Sequence, residues 1–183
     1  MESPSREKEK QHIILDFLKT KFEVIGYHVI LVPGKHTGGY LYARPKVRNK
    51  SLPVQLIIGH CDTVWPTDTI KDMPISYENG IIKGPGIYDM KAGLTQLYFA
   101  LTPIILINSD EEIGSRESTN SIKRLAKISN RAYVLEPPLG LDGKLKTARK
   151  GLGRFTLTVT GKAAHAGLDP EKGINAIVEL SHQ

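Results

Sequence analysis

The apolar and polar positions of this chain alternate between short strand-like runs and amphipathic stretches. Residues 6–22 place Ile13, Ile14, Phe17 and Leu18 at helical spacing, which predicts a first amphipathic helix. Strand-like runs follow at 27–32 (YHVILV) and 39–45 (GYLYARP), flanking a Pro-Gly-Lys-His-Thr-Gly-Gly loop as neighbouring strands do. Leu56-Ile57-Ile58 predicts a third strand running out at Gly59-His60-Cys61-Asp62. Asn79-Gly80, set between strand-like segments from Tyr77 to Ile82, predicts a hairpin. A helix from Lys91 to about Ala100 then leads to a strand at 104–108. A helix near 118–128, with Ile122, Leu125 and Ala126 as its apolar stripe, leads to a strand at 132–135. This order predicts an α/β fold, a mainly parallel sheet sandwiched by helices.

From Gly151 the period changes. Phe155, Leu157 and Val159 alternate with Thr156, Thr158 and Thr160, the pattern of a sheet with one wet face. Asp169 then reads as an N-cap, Pro170 as the first helical position, and Ile174, Ile177 and Leu180 as one helix face. Two domains are expected, an α/β domain over 1–150 and the beginning of a smaller α+β domain over 151–183.

The run IILINSDEE (104–112) carries the chemical question. A buried strand here drives into Asp110, Glu111 and Glu112, and acids at such a place must be protonated, paired or metal-bound. His60, Glu112 and Glu136 each follow an apolar strand, and Asp89 lies in the turn before a helix. In open parallel sheets the carboxyl ends of strands share one rim, so these four residues are expected to converge. One histidine with several carboxylates suits zinc, and two zinc ions sharing a carboxylate would balance the charge. If the third strand persists to residue 62, Asp62 shares a side with His60 and can take its free ring N–H. Glu111 and Glu112 should diverge, one ligating while the other acts as general base.

Composition narrows the setting. The 183 residues include one cysteine, Cys61, which excludes an internal disulfide framework and any CxxC zinc site, so metal must sit on histidine and carboxylates. The 25 basic against 19 acidic residues give +6, but the cations are dispersed without aromatic interleaving, so no nucleic-acid partner is expected. No apolar run approaches the roughly 20 residues of a membrane span. The opening MESPSREKEK lacks a signal segment, so no membrane partner and a cytoplasmic location are expected. Taken singly, each candidate has a plain reading: His60 as a structural histidine, Asp89 as an N-cap, Glu136 as a solvated strand end. Asp110 stays open between a turn former and a support for the ligands.

Together, GHCDTVWP, GPGIYDMKAG, NSDEEIGS and VLEPP resemble the dizinc exopeptidases of the glutamate carboxypeptidase, aminoacylase and acetylornithine deacetylase family, with DTVWP and Gly-Pro-Gly-Ile nearest the glutamate carboxypeptidase branch. The resemblance implies that His60 and Glu136 hold one zinc, Glu112 the second, and Asp89 bridges them. It implies Glu111 as base and Asp62 as the partner of His60. Cobalt or manganese also suits such sites. It further implies a catalytic domain interrupted by a lid that mediates homodimerisation, with the strand from Arg154 opening the lid and His165 holding substrate. The family pattern has another ligand histidine after the lid and a longer connection after Leu101, so segments are expected to be missing after Leu101 and after Gln183. The expected reaction is hydrolysis of an amide bond next to a free carboxylate, releasing a C-terminal amino acid from a small peptide. The alternatives are an N-acyl amino acid deacylase or a non-catalytic metal-binding or dimerising fragment.

Overall fold

The apolar run at 104–108 becomes a central strand, and the rest of the first unit is arranged around it. A computed structural model describes residues 1–99, 103–153 and 155–183. The chain divides into two compact units, Met1–Lys144 and Leu145–Gln183. In the first unit the order is α1 (Lys8–Val24), β1 (Tyr27–Val32), β2 (Tyr40–Pro45), β3 (Gln55–His60), α2 (Thr69–Asp72), β4 (Ser76–Glu78) and β5 (Ile81–Lys83). A kinked turn over Ile87–Lys91 then leads into α3 (Ala92–Phe99), β6 (Ile104–Asn108), α4 (Thr119–Lys127) and β7 (Arg131–Val134).

Five strands form one sheet in the order β1-β2-β6-β3-β7, while β4 and β5 make the separate hairpin that Asn79-Gly80 predicts. Both turn residues have positive φ, 51° and 79°, as a two-residue hairpin turn of the primed type requires. In the larger sheet β3 runs parallel to β6 and β7, whereas β1 with β2 and β2 with β6 are antiparallel. The expectation of a mainly parallel sheet is thereby corrected to a mixed one. The short 33–39 loop has room only to reverse the chain, not to cross over it, so β1 and β2 must pair antiparallel.

Residues of β6 alternate between two cores. Ile105 and Ile107 join the cluster formed with Ile14, Leu15, Leu18 and Phe22 of α1 and Leu94 and Leu97 of α3. Ile104 and Leu106 join Leu56 and Leu125 of α4 on the other face. Every residue of β6 is buried, which accounts for a run without polar alternation. The buried face of α1 is Gln11, Ile14, Leu15, Leu18 and Phe22. Ile13 and Phe17, expected on that face, are exposed, as is Ala126 of α4. The 3.6-residue period admits one stripe, and in α1 it is centred one position away from the predicted one.

The second unit departs further from expectation. Residues 155–160 form no strand among the described residues, and Phe155 is 95% exposed. A half-apolar strand is stable only against a neighbour that pairs its backbone and covers its apolar face. The segment's ordered contact is an isolated bridge between Lys162 and Ile174. The single predicted helix is split into a 3₁₀ turn (Pro170–Lys172) and α5 (Ala176–Leu180), because Gly173 is extended. The cap of α5 is Asn175, whose side chain accepts from the N–H groups of Ile177 and Val178. Asp169 makes no such bond. The expected Leu101-Thr102 junction and the Arg154 start of the lid strand lie outside the described residues.

Candidate metal centre

Register fixes which residues meet. His60 lies opposite Asn108 in the parallel β3–β6 pair, and Ile58 opposite Val134 in the β3–β7 pair. His60 at the end of β3 with Cys61 and Asp62 after it, Ser109 to Glu112 after β6, and Leu135 and Glu136 after β7 therefore lie at one level of the sheet. Asp89 is brought in from the turn before α3. That turn can approach because Gly93 has no side chain: a Cβ there would collide with the Leu135 carbonyl oxygen. The Asp89–Met90 peptide is cis, and Met90 is buried beneath the rim, its Sδ accepting from the His60 N–H at 3.1 Å.

The imidazole of His60 is the hub. It is 1% exposed, with Nε2 at 3.1 Å from Asp89 Oδ1 and 3.3 Å from Glu136 Oε1. Nδ1 faces Asp62, at 3.0 Å from its main-chain oxygen and 3.4 Å from Oδ1. β3 itself ends at His60 rather than at residue 62, although the Cys61 N–H still bonds the Asn108 carbonyl of β6. Asp62 does more than sequence suggests: its Oδ1 accepts from the N–H of Glu111 and its Oδ2 from that of Glu112, both at 3.2 Å. The carboxylate that orients the histidine thus also holds the turn bearing the two acids.

Ligand atoms of His60, Asp89 and Glu112 lie within 4.8 Å of one another, and so do those of His60, Glu111 and Glu136. Distance alone does not separate Glu111 from Glu112 as base and ligand. His165 sits in the second unit, exposed, its Nδ1 accepting from the N–H of Gly167. Cys61 is fully buried, its thiol pushed up by desolvation, and it faces the core as a packed side chain.

The electrostatics of the cluster call for positive charge. Burial alone would lower the His60 pKa, yet hydrogen bonds to Asp62 and Glu136, with their charges, raise it to about 11. Asp89 is raised by desolvation and by the charge of Glu136, against a hydrogen bond from His60. Glu111 and Glu112 are raised by desolvation and by their acidic neighbours, which outweigh His60. Every one of these shifts runs in the direction that added positive charge would relieve. The donor set fits a dication: one imidazole whose Nδ1 is committed to Asp62, leaving Nε2 as a lone pair facing carboxylates, with oxygen donors on either side.

The last 37 residues, 147–183, match the model of the M20 peptidase dimerisation domain. Carboxypeptidase G2 of Pseudomonas sp. (strain RS-16) is 31% identical over 91% of this chain and 43% of its own length. Succinyl-diaminopimelate desuccinylase of Maricaulis maris is 28% identical over 91% of this chain and 47% of its own. The chain is thus similar to M20 peptidases, through the dimerisation-domain match at its C-terminal segment and the likeness to carboxypeptidase G2 along most of its length. Among solved structures, the aminopeptidase PepT of Bacillus cereus superposes with a TM-score of 0.64 at 21% identity, covering 98% of this chain and 51% of that one. The chain spans less than half the length of these two curated relatives. The alignment to carboxypeptidase G2 is 184 positions long although it covers 91% of a 183-residue chain, so that relative has internal residues with no counterpart here.

Sequence reading left Asp110 open and assigned Glu117 nothing. In the structure the Asp110 carboxylate accepts from the N–H groups of Glu117 and Ser118, and the Glu117 carboxylate accepts from those of His36 and Thr37. The signal available in sequence was Asp110 followed at short range by Ser115 and Ser118, a pattern of carboxylate and small hydroxyls common to side-chain-capped turns.

Proposed function

We propose that this chain carries the metal-holding part of a zinc-dependent hydrolase that cleaves an amide bond next to a free carboxylate and releases a C-terminal amino acid. The observation that carries this reading is His60, with Nδ1 held by Asp62 and Nε2 turned to Asp89 and Glu136 at 3.1 and 3.3 Å. In this reading His60, Asp89, Glu112 and Glu136 hold two zinc ions, with Asp89 shared. Bound there, zinc supplies Lewis acidity, lowering the pKa of a water from about 15.7 toward neutrality and polarising the scissile carbonyl.

The chain's own groups do the rest. Glu111 takes the proton of the attacking water and hands it to the leaving nitrogen, a role suited to a carboxyl whose pKa is raised by desolvation and acidic neighbours. Asp62 holds the proton on Nδ1 of His60, so that Nε2 is the nitrogen offered to metal, and it keeps Glu111 and Glu112 aligned through their main-chain N–H groups. Residues 1–150 form the catalytic part and 151–183 the start of the dimerisation domain, where His165 contacts substrate and the protein forms a homodimer. The dimerisation-domain match over 147–183 supports this division.

The test is Glu111→Gln. Zinc content should stay at the wild-type level while hydrolysis of glutamyl-terminated peptides falls by about 10²–10⁴-fold. Undiminished hydrolysis at full zinc occupancy would refute the role. A second reading, deacylation of N-acyl amino acids, is favoured by the similarity to a desuccinylase. Parallel assays with N-acylated amino acids separate the two. A chain that binds zinc yet hydrolyses neither substrate class would be a non-catalytic fragment.

A further inference from the structure

Resting on the metal-centre reading above, the geometry points to Asp110 as a positioning residue for the metal-holding acids. It would act through the backbone turn that carries Glu111 and Glu112 rather than by touching metal or substrate. Asp110 is the first acid of the NSDEE run and is 1% exposed, while Glu111 and Glu112 reach the rim. Each of its carboxylate oxygens accepts twice. Oδ2 takes the N–H groups of Glu117 at 2.7 Å and Ser118 at 3.2 Å, and Oδ1 takes the Ser118 hydroxyl at 2.6 Å and Asn108 Nδ2 at 3.1 Å. Its main-chain oxygen accepts from the Ser115 N–H at 2.6 Å.

These bonds tie the two ends of the 110–118 loop together. One end is the rigid exit of β6, where Asn108 also donates to Ser115 and Ser118, and Ser109 is pinned to the Gly39 carbonyl through its N–H and hydroxyl. The other end is the start of α4. The loop between turns through Gly114 at φ 96° and Ser115 at φ 52°, left-handed conformations that do not hold themselves in place for a serine. Asp110 thus closes the loop that carries Glu111-Glu112 by tying its two ends together, while Asp62 holds the N–H groups of those two residues directly, and neither spends the carboxylate of Glu111 or Glu112. The grip also passes outward. Glu117, fixed at its N–H by Asp110, accepts from His36 N–H, Thr37 N–H and the Thr37 hydroxyl, and so docks the 33–39 loop beside the turn.

A positioning role makes a demand that a merely stabilising one does not: weakening Asp110 must loosen metal binding beyond what an equal loss of stability elsewhere produces. Metal-free 183-residue chain is titrated with zinc against a chromophoric chelator. Cobalt spectra and thermal melts in chelator are recorded on wild type, Asp110→Asn, Ser118→Ala and Ser129→Ala. Asp110→Asn keeps the shape but turns an N–H₂ toward donors. It is expected to lower zinc affinity about 10–100-fold, as loss of groups supporting ligands typically does, and to alter the cobalt spectrum. Ser118→Ala removes one of the four bonds and should lower affinity by a smaller factor, about 2–5-fold on the same scale. Ser129→Ala removes the hydroxyl bond to Leu125 at the far end of α4, and should lower the melting temperature without changing affinity or spectrum. Wild-type affinity in both Asp110→Asn and Ser118→Ala would overturn the proposal while leaving the metal centre standing. If Asp110→Asn fails to fold, unchanged affinity in Ser118→Ala overturns it alone. A wild-type chain that binds neither zinc nor cobalt overturns the metal centre and this proposal together.

Discussion

Asp62→Ala is the perturbation that most directly tests how the site is built, because its side chain is fully buried and serves two parts of the cluster at once. Truncation strands the N–H groups of Glu111 and Glu112. At 3.2 Å both bonds are long, and the turn is half-buried, so water can replace part of each. About 1 kcal/mol per donor, the low end of the cost of an unpaired group, is the appropriate figure. His60 loses the Oδ1 contact at 3.4 Å but keeps the main-chain oxygen of residue 62 at 3.0 Å, so its ring orientation survives and the further loss is about 1 kcal/mol. The sum, about 3 kcal/mol, corresponds in a unit of this size to a melting temperature lower by about 10 °C. Thermal unfolding followed by circular dichroism in chelator measures it. Asp62→Asn, which retains one acceptor, should fall between the variant and wild type. A melting temperature within about 2 °C of wild type for Asp62→Ala would mean that the bonds to the acid turn contribute nothing, and the argument that Asp62 aligns Glu111 and Glu112 would fail.

Further expectations concern charge, metal and core. The His60 imidazolium, raised from 6.5 to about 11 by its acidic partners, stabilises the metal-free fold fully below about pH 6.5, and that contribution is lost as pH rises through about 11. Zinc must displace that proton, so binding at pH 7.5 should release about one proton per His60, and apparent affinity should fall with acidification. Calorimetry in buffers of different ionisation enthalpy measures the release, and heats independent of buffer would contradict it. Chelation of a chain saturated at about 1,000 times the dissociation constant should remove about 4 kcal/mol of stability, visible as a fall in melting temperature. Leu106→Ala, at a position with no exposure on the α4 side of the sheet, should cost about 2–5 kcal/mol in chemical denaturation without altering zinc affinity per folded molecule.

The sequence by itself determined where strands end and which side chains follow them. A short β-branched and aliphatic run such as 104–107 reads as a buried strand, and acids just after such a strand lie at the sheet's rim. That locality is why His60, Glu112 and Glu136 could be picked out as convergent from single positions, and why the Asn79-Gly80 hairpin was legible. Sheet order was not. That β2 lies between β1 and β6, making the sheet mixed, depends on which edge the hairpin docks against, a choice made by packing between segments some 60 residues apart in sequence. The buried roles of Asp62, Asp110 and Glu117 were equally hidden. A carboxylate reads the same in sequence whether its acceptor oxygens face water or main-chain N–H groups, and only the folded chain supplies those partners. In the second unit the alternation at 155–160 was real, yet a strand is a property of a pair, and Phe155 and Leu157 stay exposed where no described neighbour covers them. Sequence settles what a segment can bury, and tertiary structure settles against what.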